Sequence, residues 1–286
     1  MTSLSSLYRS VRARLAEAEV EAAALDARLF MDQFAGAKPE DIVCRPLTEI
    51  APAAVAMVES AVARRIAGEP VHRILGWREF HGLKLALSPE TLEPRPDTET
   101  LVDVVLPFVH VRAAATGTCR ILDLGAGTGA VALALLNAEP KATALATDIA
   151  PGALATALSN AQSLGLARRY SVLHSNWFDL VAGEFDLIAS NPPYIPSRVV
   201  ATLDVNVRDF DPAAALDGGD DGLDAYRALA SGAARHLVSD GLIAVEIGYN
   251  QAESATAIFE GSGFVVDPAI RDLGGNHRVL LARMRQ

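Results

Sequence analysis

The chain has 286 residues, half of them hydrophobic, and carries 25 lysines and arginines against 35 aspartates and glutamates for a net charge of −10. That length holds one large domain or two smaller ones, and the apolar content argues against a disordered chain. The acidic balance weighs against a protein that grips duplex nucleic acid through a basic surface, no apolar run reaches the ~18–20 residues of a membrane span, and Met1–Arg9 does not read as a signal peptide.

Residues 1–70 read as helical. Leu7, Val11 and Leu15 recur at four-residue spacing, and Leu25, Leu29 and Met31 continue the apolar stripe. Pro39 and Pro46 punctuate a short helix, and Pro52 opens another that runs to about Ala67, before Gly68 and Pro70. The reading is a small bundle, either a packing domain or a partner-recognition module. From Val71 to Leu87 the period changes, and Glu79 to Leu85 alternates around Gly82 as a hairpin would. Pro89, Pro94 and Pro96 then stiffen a loop carrying Arg95, Asp97 and Glu99, so residues 71–97 are expected to be a connector that fixes geometry.

Over residues 98–286 strands and helices alternate. Strands are expected at Cys119–Leu124, Thr143–Thr147, Ser171–His174, Asp186–Ser190, Leu242–Ile247, Phe264–Asp267 and Val279–Arg283. Helices are expected at Thr128–Ala138, Pro151–Leu164, Leu223–Leu237 and Glu253–Glu260. Near-continuous apolar strands alternating with helices define an α/β domain with a mostly parallel sheet covered on both faces. Cys44 and Cys119 fall in different elements, which points to a reducing compartment, and the six histidines lack ligand spacing, so no metal is expected.

Two motifs carry chemistry. After the first strand the chain reads Asp123-Leu124-Gly125-Ala126-Gly127-Thr128-Gly129. The third glycine comes too early for the dinucleotide fingerprint, and the spacing resembles the first motif of S-adenosylmethionine-dependent methyltransferases. Asp148 ends the next strand, where a carboxylate can accept from ribose hydroxyls or can cap the helix opened by Pro151. Trp177, after the third strand, can stack on a base or belong to the core.

The second motif is Asn191-Pro192-Pro193-Tyr194, at the end of the apolar run Phe185–Ser190. An amide or amino nitrogen conjugated to a π-system is a poor nucleophile because its lone pair is delocalised. The Asn191 side-chain oxygen and the Pro192 carbonyl can accept both of its N–H groups and leave the nitrogen free to pyramidalise. Paired prolines hold such a loop extended, and Tyr194 can pack on the planar substrate group. Rate would come from positioning and oriented dipoles, with no strong base. Asn-Pro is otherwise simply a turn former.

Taken together the sequence resembles the release-factor glutamine N5-methyltransferase family (PrmC/HemK) over nearly its whole length. The resemblance runs through Glu69-Pro70-Val71, Glu79-Phe80, Pro94-Arg95-Pro96-Asp97-Thr98-Glu99, the two motifs, Val207–Pro212 and Ala215–Leu223. It implies a Rossmann-like class I methyltransferase domain with a mostly parallel seven-stranded sheet, preceded by a helical bundle and a hairpin connector. It implies methyl transfer from S-adenosylmethionine, without metal, to the glutamine side chain of the Gly-Gly-Gln motif of peptide chain release factors. Gly125, Ala126, Gly127, Thr128, Gly129, Asp148, Trp177 and Asn191 would contact the cofactor; Asn191, Pro192 and Tyr194 would be catalytic; Pro193 and Arg95 would help hold substrate. The helical domain would help dock the release factor, and the expected state is a cytoplasmic monomer that binds neither membrane nor nucleic acid directly. Asp211 stands where the family usually has glutamate, and Glu93 where an apolar residue is common. Two other readings stay open: a nucleic-acid amino-methyltransferase, which shares Asn-Pro-Pro-Tyr, and a cofactor-binding regulator that does not catalyse.

Overall fold

A computed structural model describes residues 2–285 and divides into two compact units, Met1–Gly76 and Trp77–Gln286. In the first, the short strand β1 (Thr2–Ser3) leads into α1 (Leu4–Glu17), followed by α2 (Ala23–Ala35), α3 (Pro39–Cys44), β2 (Glu49–Ile50), α4 (Pro52–Ile66) and α5 (Val71–Leu75). The Ser3 side chain accepts from the Ser6 N–H and caps α1. Leu4, Leu7, Val11 and Leu15 are buried on α1, as are Phe30 and Met31 on α2 and Val58 and Val62 on α4, the three helices packing on one another. On α2 the expected stripe is displaced: Leu25 is 55% exposed, and the buried face is Ala23, Asp26, Ala27, Phe30 and Met31. Buried Asp26 is paired with Arg65 at 2.7 Å. The hairpin does not begin at Val71: Pro70 opens the short helix α5, and Gly76, at positive φ, ends it.

The second unit starts with the antiparallel hairpin β3 (Trp77–Phe80) and β4 (Leu83–Ala86), turned at His81 and Gly82, both at positive φ. A helix not foreseen in the sequence, α6 (Glu99–Thr116), precedes β5 (Cys119–Leu124). Then follow α7 (Ala130–Ala138), β6 (Ala142–Asp148), α8 (Pro151–Ser163), β7 (Tyr170–His174) and β8 (Phe185–Ser190). The short helices α9 (Ser197–Val200) and α10 (Val205–Arg208) lead to α11 (Asp224–Ala233), β9 (Leu237–Glu246), α12 (Ala252–Gly261), β10 (Phe264–Val266), β11 (Ile270–Arg271) and β12 (His277–Met284). The helix expected to reach Leu237 stops at Ala233, because Leu237 already pairs with Phe185 in the sheet.

The strands lie in the order β10-β12-β9-β8-β5-β6-β7, with β11 added beside β12, so the sheet has eight strands where seven were expected. β5 to β9 run parallel, β12 runs antiparallel to β9, and β10 and β11 each pair antiparallel with β12. Alternating residues divide between the two faces: Ile121, Leu187 and Ala189 pack in one core, Leu122, Leu124 and Ile188 in the other. All six residues of β8 are buried, including Asp186, paired with Arg112, and Ser190, and this is why its sequence is mostly apolar. The chain travels outward through β6 and β7 and then returns to the other side of β5. The carboxyl ends of β5 and β8 therefore form the switch point where α/β sheets bind ligands.

Candidate active site

A cavity of about 450 Å³ opens at this switch point. Its floor is the glycine loop between β5 and α7. The Gly125 and Ala126 N–H groups both donate to the Thr147 carbonyl at 2.9 Å, which ties the loop to the end of β6. Gly129, at φ 81°, has a packing role: a Cβ there would come within 2.8 Å of the Tyr170 hydroxyl and 3.0 Å of Leu133. Asp148 serves the loop and the following helix together. Its Oδ2 accepts from the Gly127 N–H and its Oδ1 from the Ala150 N–H, each at 2.9 Å, at the N-terminus of α8. Both oxygens keep a further lone pair, and the residue lines the cavity. Trp177, at φ 46°, lines the same cavity and, partly buried, packs against one of the two cores.

The Asn-Pro-Pro-Tyr loop forms the next wall. The Ser190 hydroxyl donates to the Leu124 carbonyl at 2.7 Å, binding the ends of β8 and β5 to each other. Asn191 Nδ2 donates to Thr98 Oγ1 at 3.1 Å. Among the described residues no protein donor engages Asn191 Oδ1 or the Pro192 carbonyl. The Tyr194 hydroxyl donates to Glu246 Oε1 at 3.3 Å, and its carbonyl accepts from Gln251 at 2.9 Å, with Gln251 held in turn by Tyr226. Gly218 must be glycine for contact reasons: a Cβ there would lie 2.9 Å from both the Pro193 carbonyl oxygen and Tyr194 Cα. The 216–218 segment pairs with Ile195 through two backbone bonds and clasps the loop from behind.

Residues 88–98 pass over the cavity as a strap and contribute Pro89, Glu90, Leu92 and Pro94 to its lining. Glu90 accepts from the Gly152 N–H at the start of α8. Asp211, 92% buried, reaches across from the far side: it accepts from the Glu93 N–H at 3.3 Å and from Arg95 at 2.6 Å. Glu93 is itself buried and paired with Arg78. The two departures from the family pattern therefore touch each other.

Of the residues singled out in the sequence, Gly125, Ala126, Gly127, Thr128, Asp148, Trp177, Asn191 and Pro193 line the cavity. Gly129, Pro192, Tyr194 and Arg95 do not; Pro192 is buried, Tyr194 faces Glu246, and Arg95 faces Asp211. The structure adds Asp123, Thr98 and Glu246. Burial pushes the Asp123 carboxyl up to about 7; the Ala132 N–H opposes this and the charge of Asp148 adds to it. Burial likewise pushes Glu246 up to about 7, against the Thr98 hydroxyl, Arg278 and Tyr194, each of which favours the charged form. Asp123 was visible as the acidic residue just ahead of the first glycine; Thr98 and Glu246 lie too far from Asn191 in the chain for any spacing to reveal them. Among the described residues no group of three or more His, Cys, Asp or Glu side chains could hold a metal ion, and no helix is long and apolar enough to cross a membrane.

A glycine loop, an acidic strand end and Asn-Pro-Pro-Tyr around the switch point of a mostly parallel sheet define a Rossmann-like methyltransferase. The fold is similar to that of a methyltransferase from Pyrococcus furiosus, with a TM-score of 0.54 and 18% identity over 78% of this chain and 98% of that one. Residues 6–76 match the family model of the PrmC N-terminal domain, and residues 106–214 that of the methyltransferase small domain. The release factor glutamine methyltransferase of Agrobacterium fabrum is 49% identical over 96% of this chain and 95% of its own length. That of Rhodospirillum rubrum is 46% identical over 95% and 82%, and that of Moorella thermoacetica 38% over the full length of both. The chain belongs to the release factor glutamine methyltransferase family, and it is a protein-glutamine methyltransferase.

Proposed function

We propose that the protein transfers a methyl group from S-adenosylmethionine to the side-chain amide nitrogen, N5, of the glutamine in the Gly-Gly-Gln motif of peptide chain release factors. The observation that carries this reading is Asn191, which lines the cavity with its Nδ2 anchored on Thr98 and its Oδ1 held by no protein donor, next to a Pro192 carbonyl that no protein donor engages. A primary amide offers two N–H groups, which is what two acceptors can hold.

The lining suits the cofactor. The Gly125–Gly129 backbone leaves room beside it for the methionine portion, Asp148 keeps lone pairs for ribose hydroxyls, and Ile149 and Trp177 give an apolar wall for a base. S-adenosylmethionine, when bound, supplies an electrophilic sulfonium methyl. Asn191 and Pro192 fix the amide and hold its nitrogen so that it can pyramidalise; both acceptors are in place before reaction, so little reorganisation is needed. The strap of residues 88–98, clamped by Asp211, limits water at the cavity. The methylated nitrogen is acidic and gives up its proton to water, so no strong base is required. Pro193 and Tyr194 shape the loop from which these acceptors project, and Arg95 acts in substrate binding through the strap. We assign the helical unit to release-factor docking and the protein to the cytoplasm, acting as a monomer without direct contact to nucleic acid.

The test is to incubate the protein with methyl-labelled S-adenosylmethionine and a release factor, the same factor with the Gly-Gly-Gln glutamine replaced, and duplex DNA. Label on the intact factor alone is expected. Label on DNA would move the assignment to a nucleic-acid amino-methyltransferase, and cofactor binding with no label on any substrate would mark a regulator.

A further inference from the structure

We propose that the cavity selects the charged methyl donor over its own demethylated product, with Glu90 and Asp217 as specificity-determining residues. The inference rests on S-adenosylmethionine as the cofactor and goes on to what the lining does with its charge.

Four carboxylates border the cavity, each from a different place. Glu90 comes from the strap, Asp123 from β5, Asp148 from the end of β6, and Asp217 from the clasp behind Asn-Pro-Pro-Tyr. Among the described residues that line the cavity there is no lysine, arginine or histidine. Their partners are dipoles. Glu90 accepts from the Gly152 N–H at 2.9 Å, and Asp123 from the Ala132 N–H at 3.3 Å. Asp217 accepts from the Ser197 hydroxyl at 2.7 Å and the Gly219 N–H at 2.9 Å, which hold its carboxyl below the usual carboxylate range. Asp148 takes only the N–H groups of Gly127 and Ala150.

Elsewhere the chain treats its acids differently. The other buried carboxylates each stand beside an arginine: Asp26 by Arg65, Glu93 by Arg78, Asp186 by Arg112, Asp211 by Arg95, and Asp272 and Glu246 by Arg278. Around the cavity that compensation is withheld. Burial, with the charge of Asp148 adding to it, pushes Asp123 up to about 7. A ligand that brings positive charge relieves this crowding, and a neutral one does not.

The donor and its product differ in that respect. S-adenosylmethionine carries a sulfonium, an ammonium and a carboxylate, one net positive charge. In the transfer the S–CH3 bond breaks with its electron pair kept by sulfur, the amide nitrogen's lone pair forms the N–CH3 bond, and an amide proton passes to water. The thioether left behind, S-adenosylhomocysteine, has no net charge. Both molecules offer the same ribose and base to Asp148 and Trp177, so those contacts do not tell them apart. The field of the lining does, and its pull on the cofactor ends with the reaction.

The experiment titrates the full chain by calorimetry at low ionic strength with S-adenosylmethionine, S-adenosylhomocysteine and sinefungin, an analogue with an ammonium in place of the methylated sulfonium. Thermal unfolding accompanies each variant. Wild type should bind S-adenosylmethionine about tenfold tighter than S-adenosylhomocysteine, and sinefungin should side with the donor. One unit charge about 8 Å away through water changes the binding of a cation about twofold, and more through protein. The Glu90→Gln/Asp217→Asn pair keeps acceptors for Gly152 and Gly219 and should lower the ratio about fivefold, each single variant by about twofold, with S-adenosylhomocysteine binding unchanged. Glu260→Gln, exposed on α12 and away from the lining, alters total charge alone and should keep the ratio. Equal binding of donor and product by wild type overturns the proposal, and so does a ratio that the pair leaves within twofold of wild type or that Glu260→Gln lowers as much. Those outcomes leave the methyltransferase reading standing. A chain that binds none of the three overturns the cofactor reading and the selection with it, whereas selection without methylation of a release factor counts against the glutamine substrate alone.

Discussion

Asn191 meets Thr98 through its nitrogen and leaves its oxygen at the cavity, so removing the side chain deletes an acceptor without opening a core. Asn191→Ala should keep its unfolding midpoint and its cofactor affinity while kcat falls by roughly 10²- to 10³-fold, the range found when one preorganised polar group of a transition state is lost; steady-state kinetics with a release factor checks it. Asp123 gives a prediction on stability. Its carboxyl titrates near 7 in the folded chain, against about 4 when unfolded. Between those values the folded state holds a proton that the unfolded state has lost, so this group's contribution is complete below about pH 4 and disappears as pH rises through about 7. Asp123→Asn should therefore gain on the wild type between pH 5 and 7, by at most about 1.4 kcal/mol per pH unit, measured by urea unfolding at both values. The glycine loop, Asp148 and Asn191 could be read from the sequence because each sits at a strand end with a recognisable spacing. Thr98 and Glu246 could not, since their contacts with Asn191 and Tyr194 exist only where the strap and β9 meet the loop after β8.

At the scale of elements, contact decides what spacing leaves open. The strap and the 204–218 segment carry little regular structure, yet Asp211, Glu93 and Arg95 knit them over the cavity. The sequence marked this stretch only by its prolines and its likeness to a family. Strand β8 was legible because it is buried on both faces, whereas α6 was not: its residues are apolar on several sides and Pro107 interrupts the pattern, so no single stripe stands out. The α2 stripe misled for a related reason, since the buried polar Asp26 lies on the inner face and leucines lie outside it. Gly218 tests the clasp behind Asn-Pro-Pro-Tyr. Gly218→Ala should destabilise the fold by about 1–3 kcal/mol through overpacking and lower kcat by displacing Pro193 and Tyr194. Gly261→Ala, where an added methyl meets nothing within 4 Å, should do neither. Thermal unfolding and kinetics on the two variants separate the outcomes.

For the whole molecule, two compact units with separate cores predict separable failures. Phe30 is fully buried in the helical unit, and Phe30→Ala should destabilise that unit by about 3–5 kcal/mol. Cofactor affinity, measured by calorimetric titration, should stay at its wild-type value while turnover of the release factor drops. An equal loss of cofactor binding would show that the units fold as one. The alternation of strands and helices made this second unit's architecture legible, and the short β11 at its edge, two residues long, fell below what any periodicity can reveal.

The Ser190 to Leu124 bond has a consequence for how such a protein could change its target. β5 and β8 are neighbours in register, Leu124 opposite Ser190, so the loops that leave them start one interstrand step apart, about 4.8 Å. That step acts as a ruler cut into the backbone: it sets the gauge between the glycine loop and Asn-Pro-Pro-Tyr whatever side chains surround them. A library confined to the strap and the segment after Tyr194 would inherit that gauge unchanged.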